Sequence, residues 1–206
     1  SYMEELRLTA PGDVKRDYFE ALRDPYVKLI STCINNNDIL MAFKVLERSR
    51  SKFFTEQLQG EEKDINIPSI EQIQKLLSDN EAMIMYADSE WDSLYVFVVT
   101  KNEFKPFTIS SETLTSELLS EENSSLIDAI KFNHTYLSNP VWKEKFRNFS
   151  RIFYDHLIDP LYDTINDKDK LILITDGNLG LLPFETFINE NGKYVAEIHT
   201  IKYIQS

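Results

Sequence analysis

The chain is poor in several residues that build active sites. It has one cysteine, Cys33, in 206 residues. A single thiol can form neither an internal disulfide nor a thiolate metal cluster, and it suits a reducing compartment. Five glycines and seven prolines leave little material for flexible linkers. The three histidines, His134, His156 and His199, fit no metal-binding spacing such as His-Glu-x-x-His. Walker-type, GxGxxG and GxSxG signatures are absent. No metal and no cofactor are therefore expected. Basic side chains are also in deficit, 22 against 34 acidic, for a net charge of -12. Such a surface repels nucleic-acid phosphates and anionic lipid, so neither nucleic acid nor membrane is an expected partner. Solubility accounts for the charge. No apolar run approaches the ~20 residues that span a bilayer. The segment Ser1-Tyr2-Met3-Glu4-Glu5 lacks the basic-then-apolar pattern of a signal peptide. A cytoplasmic location is expected, and the Asn-x-Ser/Thr triplets at Asn123, Asn133 and Asn148 read as chance matches.

What is present is a 42% hydrophobic chain whose periodicity changes along its length. Residues 13–60 read as helices. Tyr18, Leu22, Tyr26, Leu29 and Ile30 fall at helical spacing, with Pro25 interrupting or restarting the helix. Asn35 to Asp38 is a turn, and Asp38 suits an N-cap. An apolar face follows at Ile39, Ala42, Phe43, Leu46, Phe53, Phe54 and Leu58. Lys44, Glu47, Arg48, Arg50 and Lys52 stand opposite, and Gly60 stands at the C-cap. This predicts an all-α helical hairpin over 1–60. Cys33 reads as a core or half-buried thiol.

The segment 61–206 reads as α/β. Residues 61–68 form a polar connector ending in Pro68, and Ser69 with Gln72 predicts a capping box opening a helix over 70–77. Apolar runs at 82–86 and 94–99, then 104–109 with Pro106 on an edge, predict an antiparallel meander. Helix returns over 112–159, with Pro140 as a start signal and an aromatic core stripe at Trp142, Phe146, Phe149 and Phe153. Leu171 to Thr175 reads as a strand buried on both faces. Asp176-Gly177-Asn178 is a turn, Pro183 opens a short helix, Asn189 to Gly192 is a hairpin turn, and Tyr194 to Ile204 reads as one more strand.

Two stretches carry a resemblance. Leu171 to Glu185, with its Asp176-Gly177 and its Leu181-Leu182-Pro183-Phe184-Glu185, resembles the strand-turn-helix signature of the CHAT family. Ala42 to Lys52 is similar to the helix that joins tetratricopeptide repeats to CHAT domains. The resemblance covers roughly residues 40–206. It implies a caspase-like CHAT N-terminal (pseudo-protease) half over 61–206 behind a tetratricopeptide-like helical segment over 1–60. In that family a histidine and a cysteine downstream of the strand reaching Ser206 form a thiolate nucleophile. The implied role is thus a non-catalytic scaffold or regulatory part of a caspase-like cysteine endopeptidase, with no catalytic residue in this chain. The family-motif residues Asp176, Gly177, Leu182, Pro183, Phe184 and Glu185 read as structural: Asp176-Gly177 a turn, Phe184 a core plug, Glu185 an acceptor near a helix N-terminus. The implied partner is protein, either the catalytic half, a second chain or a second copy at the final strand's edge. A peptide or protein could also sit on the helical segment. The alternative function is a stand-alone interaction module that binds peptides and has no peptidase role.

Overall fold

The computed structural model describes residues 25–57, 67–88, 93–120, 140–175 and 177–204. The chain divides into two compact units, Ser1–Ile67 and Pro68–Ser206.

In the first unit the described residues form two helices, α1 over 25–35 and α2, Ile39–Gln57. The turn between them is sharp for an identifiable reason. Asn37 has a φ of 58°, in the left-handed region that asparagine tolerates better than most residues. This lets the Asp38 N–H reach the Cys33 carbonyl at 2.8 Å and the Asn37 N–H reach that of Ile34 at 2.9 Å, the paired bonds of a Schellman motif. Asp38 then caps α2, its Oδ1 accepting the Met41 N–H at 3.2 Å. Ala42, Phe43 and Leu46 are buried as their spacing predicts, and Cys33 is buried too. Two side chains depart from the pattern. Leu29 is exposed, and Arg50, assigned to the charged face, is buried and paired with Glu47 at 3.3 Å. The side chains of Phe53 and Phe54, and residues Tyr18, Leu22, Leu58 and Gly60, lie outside the described part.

The second unit is mixed α/β. It opens with α3, Ile70–Leu76, where the capping box is present: Ser69 Oγ accepts the Gln72 N–H, and Gln72 Oε1 accepts the Ser69 N–H at 2.7 Å. The meander follows as β1, Glu81–Asp88, β2, Ser93–Thr100, and β3, Phe104–Ser110. Helix α4, Ser111–Ser120, and helix α5, Pro140–Leu157, come next. A 3₁₀ turn, Asp159–Leu161, and a single helical turn α6, Tyr162–Ile165, lead into β4, Lys170–Thr175. Two 3₁₀ segments, Gly177–Leu181 and Phe184–Thr186, precede a helical turn α7, Val195–Ile198, and β5, Thr200–Ile204.

The five strands lie in the order β3-β2-β1-β4-β5. The β1–β2 and β2–β3 pairs are antiparallel, while β4 is parallel to both β1 and β5. Period-two alternation sorts the side chains. Ala82, Ile84 and Tyr86 share one face with Leu94, Val96 and Val98 and with Leu171 and Leu173, and these join Phe149, Phe153 and Leu157 of α5 in one core. Met85, Phe97, Val99 and Ile172 on the other face are buried as well. Near-complete burial of the sheet centre explains why β2 and β4 read as unbroken apolar runs. Pro106 lies on edge strand β3, where a missing donor is tolerated.

One expectation needs correcting. Residues 194–204 are not one strand: Val195–Ile198 is a helical turn, and only Thr200–Ile204 pairs with β4. The Glu197 carboxylate accepts the Tyr194 N–H at 2.7 Å, and the His199 N–H donates to the Val195 carbonyl at 2.8 Å. Local bonds therefore satisfy this backbone before the strand begins.

Polar groups fix the register where β1 and β4 start. The Asp169 and Lys170 N–H groups donate to the Asn80 carbonyl at 2.9 and 3.1 Å, and Asn80 Nδ2 donates to Asp169 Oδ2 at 2.9 Å. Lys170 Nζ meets Glu81 Oε1 at 2.6 Å. That bond first, and then the Ser78 N–H, hold the Glu81 carboxyl at about 2, down from its ordinary 4.5. A carboxyl depressed on folding contributes stability above its unfolded value, and that contribution is lost as pH falls through the folded one. The Glu81 contribution is therefore present above 4.5 and disappears between 4.5 and about 2. Urea midpoints measured across that window should fall less steeply in Glu81→Gln than in the parent. Parallel slopes would show that the pair does not couple to folding.

Candidate functional site

Gly177, Leu182, Pro183, Phe184 and Glu185 follow the C-terminal end of β4, where ligands of open α/β sheets usually sit. Asp176 lies outside the described residues, and Gly177 opens the first 3₁₀ segment. Leu182 and Phe184 are buried, whereas Pro183 and Glu185 are half-buried. Pro183 stands just before the 3₁₀ turn Phe184–Thr186, and its carbonyl accepts the Thr186 hydroxyl at 2.8 Å.

Phe184 is the hub of this region and is fully buried. Its ring lies 4.9 Å from Phe187, 5.3 Å from Tyr86 and 6.5 Å from Tyr203 between centroids. Phe187 in turn stacks on Phe153 of α5 at 5.4 Å. Aromatic groups at these separations attract edge to face or offset, so the cluster locks the loop after β4 onto both helix and sheet.

Two tyrosine hydroxyls frame the hub. Tyr86 is fully buried on β1 and donates to the Leu157 carbonyl at 2.7 Å. Leu157 ends α5, and its carbonyl is one of the acceptors that a helix leaves without an internal partner. Burial pushes the Tyr86 hydroxyl well above the usual tyrosine range. Tyr203 on β5 accepts the Phe184 N–H at 2.9 Å and donates to Glu185 Oε2 at 2.5 Å. Partial burial first, and then the Glu185 carboxylate, raise the Tyr203 hydroxyl above the usual range. Both hydroxyls remain protonated donors at neutral pH. Glu185 therefore lies in the first turn of the 3₁₀ segment and accepts its hydrogen bond there from a tyrosine of the neighbouring strand.

Neither a family model nor a curated protein sequence matches this chain. His199 is buried between α7 and β5, and its Nδ1 lies 2.6 Å from the Lys168 carbonyl. A carbonyl only accepts, so Nδ1 carries the proton and orients the ring as a structural tie. His199 sits at the start of β5, and Tyr203 with Glu185 at its far end. His156 Nε2 faces Glu117 Oε2 at 2.9 Å, joining α5 to α4. His134 lies outside the described residues. Among the described residues no group of three or more His, Cys, Asp or Glu side chains could hold a metal ion, and no helix is long and apolar enough to cross a membrane. The arrangement thus braces a loop against a sheet. It brings Leu182, Phe184 and Glu185 together with Tyr86 and Tyr203, two residues that the sequence reading did not single out. A tyrosine inside an apolar strand such as 82–86 is itself a signal, since a buried hydroxyl requires a partner.

Proposed function

We propose that this chain is a non-catalytic scaffold and regulatory part of a caspase-like cysteine endopeptidase of the CHAT family. One observation carries the reading. After an antiparallel meander the chain crosses through helix into the buried parallel strand β4, turns through Leu182-Pro183-Phe184-Glu185, and returns as β5 at a sheet edge. That order of elements is the one the motif resemblance implies. The motif side chains are used in packing and in tying strands together, which supports bracing as their role.

The partner is protein, and the edge of β5 is its docking place. Among the described residues β5 has a hydrogen-bonded neighbour on one side only. The Thr200 N–H points to the Asp169 carbonyl on the β4 side. Alternation then turns the N–H and C=O of Ile201 and Tyr203 toward the open edge. A partner strand from a catalytic half, a second chain or a second copy would pair with these groups. The helical unit supplies Leu29, Leu40 and Met41 as exposed apolar side chains for a peptide or protein. The proposed setting is cytoplasmic.

Incubating the purified chain with fluorogenic caspase-type peptides and a thiol-reactive probe tests the reading. No thiol-dependent cleavage is expected. Cleavage that disappears in Cys33→Ser would overturn it.

A further inference from the structure

The turn at 189–193 holds the only Asn-Gly pair in the sequence, Asn191-Gly192. Glu190, Asn191, Gly192 and Lys193 are all exposed. Gly192 has a φ of +74°, and nothing lies within 4 Å of the position a Cβ would take. Glycine adopts this left-handed backbone without strain, and it leaves the residue after Asn191 with no side chain to hinder ring closure once the turn opens.

The turn is also closed by a single residue. Asn189 Oδ1 accepts the N–H groups of both Asn191 and Lys193 at 3.0 Å. The Asn189 carbonyl accepts the Gly192 N–H at 2.9 Å, and the Asn189 N–H donates to the Lys193 carbonyl at 2.9 Å. Three successive amides therefore converge on Asn189. The turn joins Ile188 to Tyr194, which form an antiparallel bridge, and the Val195 N–H then reaches the Phe187 carbonyl at 2.9 Å.

We propose that Asn191-Gly192 is a site of spontaneous deamidation gated by Asn189. The Gly192 backbone nitrogen, having lost its proton to base, attacks the side-chain amide carbon of Asn191. A C–N bond forms and closes a five-membered succinimide. The side-chain nitrogen takes up a proton and leaves as ammonia. Water then opens either ring carbonyl to give aspartate or isoaspartate, so the net change is asparagine and water to an acidic residue and ammonia. No oxidant or reductant is involved. While the Gly192 N–H is held by the Asn189 carbonyl, and the amides on either side by the Asn189 side chain, the attacking nitrogen is neither free nor aligned. The reaction proceeds from the opened turn, so its rate reports the population of that open form. The product carries a new negative charge. Isoaspartate also adds a carbon to the backbone, which breaks the convergence on Asn189 just ahead of α7 and β5.

Peptide mapping with isoaspartate detection tests this on the full chain held in mildly alkaline buffer, with a parallel sample in denaturant. The folded parent is expected to deamidate at Asn191 more slowly than the denatured one. Asn189→Ala, which removes two acceptor bonds from the turn, should deamidate about tenfold faster than the folded parent. Asn189→Asp keeps an acceptor oxygen in place and should stay near the parental rate. Circular dichroism on each variant separates local opening of the turn from loss of the fold. The proposal is overturned if folded and denatured parent react at the same rate, if Asn189→Asp reacts as fast as Asn189→Ala, or if Asn191 stays unmodified in a folded Asn189→Ala.

Discussion

Replacing Phe184 with alanine is expected to cost about 3–5 kcal/mol, the range seen when a fully buried aromatic ring is deleted from a core. The site offers little room for collapse. Tyr86, Phe187 and Tyr203 each face the ring from a different segment, and Tyr86 and Phe187 are themselves fully buried. Filling the void would require β1, the 3₁₀ turn and β5 to move together. The loss should appear in the urea midpoint of the sheet-bearing unit, with the slope of the transition unchanged. Phe184→Leu should recover a substantial part, because it restores volume without the ring contacts. A midpoint shift worth less than about 1 kcal/mol for the alanine variant would show that Phe184 is a peripheral contact, since surface substitutions typically stay within that size.

The second large effect is expected at Tyr86. Tyr86→Phe keeps the ring and removes only the hydroxyl that serves the Leu157 carbonyl. An acceptor left unsatisfied in a dry core costs about 1–3 kcal/mol. Tyr203→Phe is the informative comparison. Tyr203 is 42% exposed, so water can serve the Phe184 N–H and Glu185 after the hydroxyl is gone, and the cost should be below about 1 kcal/mol. Equal losses at the two positions would mean that water reaches the end of α5, contrary to the complete burial of Leu157.

Most of the frame was legible because its signals are local. Ser69 with Gln72 names its own helix start, and Asp38 does the same for α2. The short apolar runs of β1, β2 and β4, rich in β-branched and aromatic residues, declare strands, and Pro106 declares an edge. The helical turn at Val195–Ile198 escaped because its start is held by Glu197 reaching back to the Tyr194 N–H and by the Val195 N–H reaching the distant Phe187 carbonyl, with no Ser, Thr, Asp or Asn at the cap to announce it. Arg50 escaped because charge alone marks a residue as exposed, whereas a guanidinium beside Glu47 can be buried. The hub around Phe184 was half legible. Leu182-Pro183-Phe184-Glu185 stood out as a motif, but the hydroxyls that complete it come from Tyr86 and Tyr203, far along the chain, and no local pattern ties them to it.

Among the described residues the two borders of the sheet differ in what they offer an incoming strand. At β3 the proline at 106 removes a donor from the outer rim, while β5 keeps its full complement. A rim that lacks one donor is a poorer receiver for an added strand than one that lacks none, so among the described borders of the sheet strand addition is favoured at β5 over β3.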